Sequence, residues 1–226
     1  GVINDVSPTV LLAKGSDTLT EPNDLEGKKV GINPGGATEF VFRAFVKQND
    51  VDKSKIVEIP VDFDLKNFIN GQYDVRLAFA FIEPLDLKQA GIAYSILKPV
   101  DFGVKFPGRV YFTKRDTITR KPELVQAFIN AVAEGWELAL ENRSKSIEYL
   151  KKFDEKIDSA RETSSLDLGV SYFTGYNNKV LTFDKDSILR SAQTLVDLGV
   201  IQPADFSAVL NDTFITKYHQ QKSSQH

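Results

Sequence analysis

Lys29-Val-Gly-Ile-Asn-Pro-Gly-Gly-Ala-Thr-Glu-Phe-Val-Phe-Arg-Ala-Phe-Val-Lys-Gln48 passes from a short apolar stretch through a Pro-Gly-Gly turn into apolar residues at helical spacing. Val30-Gly-Ile32 reads as a strand, and Phe42, Phe45 and Val46 predict an amphipathic helix over about 38–48. The same unit recurs outward from this stretch. Residues 56–60 read as a strand and 64–69 as a short helix closed by Asn70-Gly71. Residues 73–81 form a strongly apolar strand that ends before Glu83-Pro84, where another helix begins, and 92–97 give one more strand. Upstream, residues 7–14 read as a short buried strand. Strand–helix alternation with short links predicts an α/β fold with parallel-type, doubly wound sheets flanked by helices.

The second half changes character. After one strand over 109–113, nearly everything reads as helix: Pro122 opens a long one reaching about residue 140, followed by 144–153, 159–173 and 184–198. The polar tail, 217–226, reads as a frayed terminus. Residues 15–98 therefore make one complete α/β lobe. Residues 1–14 and 99–226 supply hinge segments and helices with no sheet of their own. A helical face is buried only against a partner, so these helices either pack on the first lobe or lack a sheet-forming N-terminal segment.

Composition narrows the chemistry. The 226 residues contain no cysteine, which excludes thiol catalysis, disulfides and cysteine-based zinc sites. The only histidines, His219 and His226, sit in the tail, so no Ser-His-Asp triad or internal histidine metal site can be built. Neither a catalytic residue nor a cofactor is expected. A net charge of −3 without clustered cations disfavours nucleic acid. No apolar run approaches the ~18 residues that span a bilayer.

Binding is better supplied. Gly35, Gly36, Thr38 and Glu39 stand at a strand-to-helix turn, where outward N–H groups bind polar or anionic groups; Thr38 as N-cap and Glu39 as a first-turn acid explain the same residues by capping alone. Glu83 lies at the carboxyl end of a buried strand with Phe79 and Phe81 nearby, the place where ligands bind in open α/β sheets. Phe63 and Asp64 follow the 56–60 strand at the same edge, Asp64 reading as a helix cap. Asp101, Phe102, Phe106, Arg109 and Tyr111 cluster where the chain leaves the lobe, and aromatics beside one arginine suit a flat, polar-edged solute. Trp136 has core spacing with Val132 and Leu140.

Six phrases in this order carry a resemblance: Asp24-Leu-Glu-Gly-Lys-Lys-Val-Gly31, the Gly-Gly-x-x-Glu-Phe turn at 35–40, Phe63-Asp-Leu-x-x-Phe-Ile-Asn-Gly-Gln-Tyr-Asp-Val75, Phe81-Ile-Glu-Pro84, Lys98-Pro-Val-Asp-Phe-Gly103 and Lys121-Pro-Glu-Leu-Val-Gln-Ala-Phe128. Over about 7–200 the chain resembles the substrate-binding proteins of ABC importers. The resemblance is to the branch of aliphatic-sulfonate, riboflavin and thiamine-pyrimidine binders and of the eukaryotic thiamine-pyrimidine synthases. It implies a two-lobed, type II periplasmic-binding-protein fold with crossings near 10–14 and 101–109, and with the N-terminal part of the first lobe missing. It also implies a monomeric, periplasmic or lipid-anchored extracytoplasmic receptor that binds a small heterocyclic or aromatic nutrient and passes it to a membrane ABC permease. Gly35, Gly36, Thr38, Glu39, Phe81 and Glu83 fall on the cleft side of the complete lobe. An extracellular sensory domain is the alternative. The synthases carry a cysteine-rich run where this chain reads Gly103-Val-Lys-Phe-Pro-Gly108, which disfavours that activity.

Overall fold

The computed structural model describes residues 1–15, 18–62 and 64–224. They form two compact units: Pro8–Phe106 with Gln193–Gln202, and Gly1–Ser7 with Pro107–Ala192 and Pro203–His226.

The first, the sheet unit, holds strands β1 (Thr9–Lys14), β2 (Lys29–Ile32), β3 (Val57–Pro60), β4 (Val75–Phe79) and β5 (Tyr94–Leu97) in the order β3-β2-β4-β1-β5. β2 runs parallel to β3 and β4, whereas β1 lies antiparallel between β4 and β5. The sheet is thus parallel except for β1. Residues 7–14, read from the sequence as a short buried strand, supply an interior strand of the sheet. The reason is visible in β1 itself, where Val10, Leu11, Leu12 and Ala13 are all fully buried. An uninterrupted apolar run is covered on both faces only at an interior position.

Helices cover both faces. On one side α1 (Ala37–Gln48) packs Phe42, Phe45 and Val46 against Leu11, Val30, Val75 and Leu77. Leu195 and Leu198, from residues 193–202, join this cluster. On the other side α2 (Lys66–Ile69) and α3 (Glu83–Gln89) supply Phe68 and Leu87 to a cluster with Val10, Leu12, Tyr73 and Ala78. Gly31 is needed here: a Cβ on it would lie 2.5 Å from the Tyr73 ring. β3, at the sheet edge, leaves Val57 half exposed and tolerates Pro60.

The second, helical unit contains α4 (Arg115–Arg120), α5 (Pro122–Glu141), α6 (Arg143–Lys151), α7 (Ser159–Phe173), the first part of α8 (Lys185–Asp197) and α9 (Thr213–Ser223). Asp158 caps α7 by accepting from the N–H groups of Ala160 and Arg161. Trp136 stacks on Phe173 with ring centroids 5.0 Å apart, and Gly169 leaves room for that ring. Among the described residues this unit has no strand.

Two expectations are corrected here. The strand over 109–113 reduces to a single bridge between Val2 and Val110, because residues 1–4 are its only pairing neighbour among the described residues. The tail is not frayed: residues 213–223 form α9, which buries Ile215 and Tyr218. The Tyr218 hydroxyl donates to Glu137 on α5 at 2.5 Å, and Lys222 donates to the same oxygen at 2.6 Å. One turn of apolar side chains on a mostly polar segment is held by its partner helix, which sequence periodicity alone does not reveal. His226 lies outside the described residues.

Candidate ligand-binding edge

The four parallel strands point their carboxyl ends the same way, and each is followed by a turn that carries polar groups. β2 leads into the turn before α1, β3 into residues 61–65, β4 into residues 80–82 before α3, and β5 into a short helical turn at Pro99–Phe102. Such an edge is where open α/β sheets take ligands.

Gly35 sits at φ +75°, a left-handed conformation that favours glycine. Gly36, not Thr38, is the N-cap of α1, and no side chain bonds across that cap. The correction has a local cause. Glu39 reaches back, accepting from the Gly35 N–H at 2.7 Å and from Arg43 at 2.9 Å, so the turn is pinned by the acid rather than by a hydroxyl. Arg43 also pairs with Glu58 and through that bond holds the Glu58 carboxyl below its ordinary range. Glu39 is therefore committed inside the protein. The N–H groups of Ala37 and Thr38, by contrast, have no acceptor among the described residues.

After β4, Phe81 is only 4% exposed and belongs to the interior rather than to an open stacking surface. Glu83 opens α3, half-buried, and accepts from the Phe79 N–H at 2.8 Å. Burial pushes its carboxyl above the ordinary range, and the Phe79 bond partly offsets this. Leu65, not Asp64, is the N-cap of α2; the Asp64 carboxylate closes the turn just before it, accepting from the Lys66 N–H at 2.8 Å. Phe63, a proposed contact, lies outside the described residues. Asp101 is exposed in the turn after β5, while Phe102 meets Phe45 edge to face and Phe106 is core.

The structure does not bring the remaining pair into this unit. Arg109 and Tyr111 belong to the helical unit. The Arg109 side chain is exposed, and its backbone pairs with Ile3 and Asn4. Tyr111 meets Phe128 edge to face and lines an apolar groove of about 700 Å³ with Val110, Phe112, Leu124 and Phe214. A second hollow, about 660 Å³, runs along α1 beside Arg43, Lys47 and Lys53; Arg43 and Lys53 face Glu58, and Lys47 donates to the Asp197 carbonyl.

Arg76 escaped the sequence reading. It is 2% exposed in the middle of β4 and donates to the Tyr73 hydroxyl and to the carbonyls of Asp62 and Asp64. The signal was present: an arginine inside Tyr-Asp-Val-Arg-Leu-Ala-Phe, a run otherwise suited to a buried strand.

Many solved chains share this fold. The periplasmic aliphatic sulphonate binding protein SsuA from Escherichia coli superposes with a TM-score of 0.71 at 17% identity, over 93% of this chain and 68% of that one. The periplasmic sulfonate-binding protein SsuA from Methylobacillus flagellatus KT gives 0.69 at 16% identity, over 98% and 69%. The desulfurization enzyme DszB shares the fold at a TM-score of 0.62 and 11% identity, over 98% and 78%. The protein is an α/β chain of the periplasmic-binding-protein fold. More particularly, it belongs to the NMT1/THI5-like family, whose profile matches residues 1–146. Among curated protein sequences none matches significantly. No helix of the described residues is long and apolar enough to cross a membrane.

Proposed function

We propose that this chain is a solute-binding receptor that catalyses nothing and presents a small heterocyclic or aromatic nutrient, of the thiamine-pyrimidine precursor kind, to a membrane ABC permease outside the cytoplasm. The observation that carries the reading is the uncapped start of α1: two N–H groups without acceptors follow β2, while the Glu83 carboxylate follows β4, its neighbour in the sheet. An N-terminal turn takes an acceptor edge and a carboxylate takes an amino group. An aminopyrimidine offers both. Glu39 and Phe81 are spent inside the protein, so Ala37, Thr38, Glu83 and Asp101 carry the binding, with Gly35 and Gly36 letting the backbone approach. The receptors of similar fold are named for sulfonates, and a sulfonate would use the α1 turn without Glu83.

Thermal melting with a hydroxymethyl-substituted aminopyrimidine, riboflavin and an alkanesulfonate tests this. At a hundredfold excess over Kd a ligand adds about 2.7 kcal/mol, a rise of several degrees. The aminopyrimidine should stabilise the wild type, and Glu83→Gln should lose that response. Stabilisation by the sulfonate alone, unaffected by Glu83→Gln, would replace the proposed solute, and no response to any of the three would end the receptor reading. The fold of the desulfurization enzyme favours a catalytic reading, but this chain has no cysteine, and His219, held against the Val180 carbonyl in the helical unit, is far in sequence from every turn of the edge.

A further inference from the structure

We infer that Arg76 is a positioning residue of the ligand-binding edge: it clamps the β3–α2 loop by its backbone. Arg76 rises from the centre of β4, opposite Leu12, on the face that carries Tyr73, Phe68 and Leu87. Its guanidinium is enclosed, yet among the described residues no carboxylate lies within salt-bridge distance. Instead Nη1 donates to the Tyr73 hydroxyl at 2.7 Å and to the Asp64 carbonyl at 3.2 Å, and Nη2 donates to the Asp62 carbonyl at 3.3 Å. Nε has no partner. The Asp64 and Glu83 carboxylates act on it only through space; burying a cation without a direct ion pair carries a desolvation penalty, and an apolar residue of similar volume would avoid it. What arginine supplies and an apolar residue does not is a planar fork that reaches two carbonyls of one loop at once.

The neighbours are arranged to aim that fork. Gly31 lacks a side chain, the Tyr73 ring lies where its Cβ would be, and the Tyr73 hydroxyl receives Nη1. Outer bonds hold the same residues: Asp62 accepts from the Asp64 N–H at 3.0 Å, and Asp64 accepts from the Lys66 N–H at 2.8 Å. Inner and outer bonds together hold Asp62 and Asp64 after β3, the strand adjacent to β2. The purpose assigned to the clamp rests on the receptor reading; the clamp itself does not.

Hydrogen exchange by mass spectrometry on the full chain tests it, comparing wild type with Arg76→Lys, Arg76→Met and Tyr73→Phe. In both Arg76 variants a peptide spanning 61–69 should exchange about tenfold faster, the equivalent of one lost charge-assisted bond, while β1 and β4 stay within about twofold. Affinity for the hydroxymethyl-substituted aminopyrimidine should fall in parallel. Lysine keeps the charge but not the fork, so Arg76→Lys behaving as wild type would overturn the proposal. An unchanged loop in a folded variant would overturn it, as would loop and sheet loosening together, the mark of a purely structural arginine. A loosened loop with full affinity would overturn the positioning role. Should Arg76→Met fail to fold, Arg76→Lys and the milder Tyr73→Phe, expected to loosen the loop by about threefold, decide the matter. If the wild type itself takes no solute, the receptor reading falls and the exchange data alone judge the clamp.

Discussion

The sheet unit and the helical unit contain similar amounts of apolar sequence but bury it differently. Among the described residues of the sheet unit, the large apolar side chains left exposed are Val57, on an edge strand, and Val200. In the helical unit Phe112 and Phe153 are about nine-tenths exposed, and Leu124, Leu138, Leu168 and Val209 are more than half exposed. A sheet offers two broad faces, and each short helix beside it finds cover; helices without a sheet bury only the stripe that meets another helix. The solved relatives of this fold extend well beyond the matched part, which spans 68–69% of the SsuA chains. The contrast teaches that the polar turns after the strands are held by the unit whose elements are packed on both faces of a sheet.

The sharpest way to break this contrast is a deletion in each unit. Phe45→Ala removes a fully buried ring between α1 and the sheet and should cost about 3–5 kcal/mol, measured by urea denaturation. A loss below about 1 kcal/mol would mean that the sheet unit is not the well-packed half. A smaller effect is expected at Glu83. Because burial raises its folded-state pKa, the ionised carboxylate is the disfavoured form; its contribution is fully present below the unfolded pKa and is lost as pH rises through the raised value. Without solute, Glu83→Gln should therefore melt above wild type at about pH 8, with the gap closing toward about pH 4. A gap that widens on acidification would contradict the burial. The smallest effect belongs to Phe112→Ser. Loss of a 92% exposed ring should change stability by less than about 0.5 kcal/mol while reducing self-association in light scattering. A large destabilisation there would show the groove to be tightly packed after all.

Much of the fold was legible along the chain. The strand–turn–helix at 29–48, the short helix ended by Gly71 at φ +74°, and the helices from 122 to 198 have strong local signals in apolar period, proline at helix starts and glycine at helix ends. The reversal of β1 was not legible, because an apolar run has the same pattern in either direction. α9 was hidden because its two buried side chains matter only once α5 lies beside them. The site was legible as an edge but not as a set of free groups. Gly35, Gly36, Glu83 and Asp101 stand on turns after strands, as their positions predicted. Glu39 and Phe81 stand there too, but their reach is taken up by Gly35, Arg43 and the interior.

Period and punctuation in the sequence by themselves determined the strands of the sheet and most of the helices between residues 37 and 198, and the composition determined that these 226 residues supply no thiol. The pairing of strands and the company of Arg76 were decided only in three dimensions. The physical reason is that hydropathy and propensity act over one or two turns of chain. Arg43 of α1, by contrast, reaches Glu58 on β3 fifteen residues away, and the Arg76 fork closes on carbonyls twelve and fourteen residues away. Long-range bonds of that kind exist only after the sheet has brought its strands together.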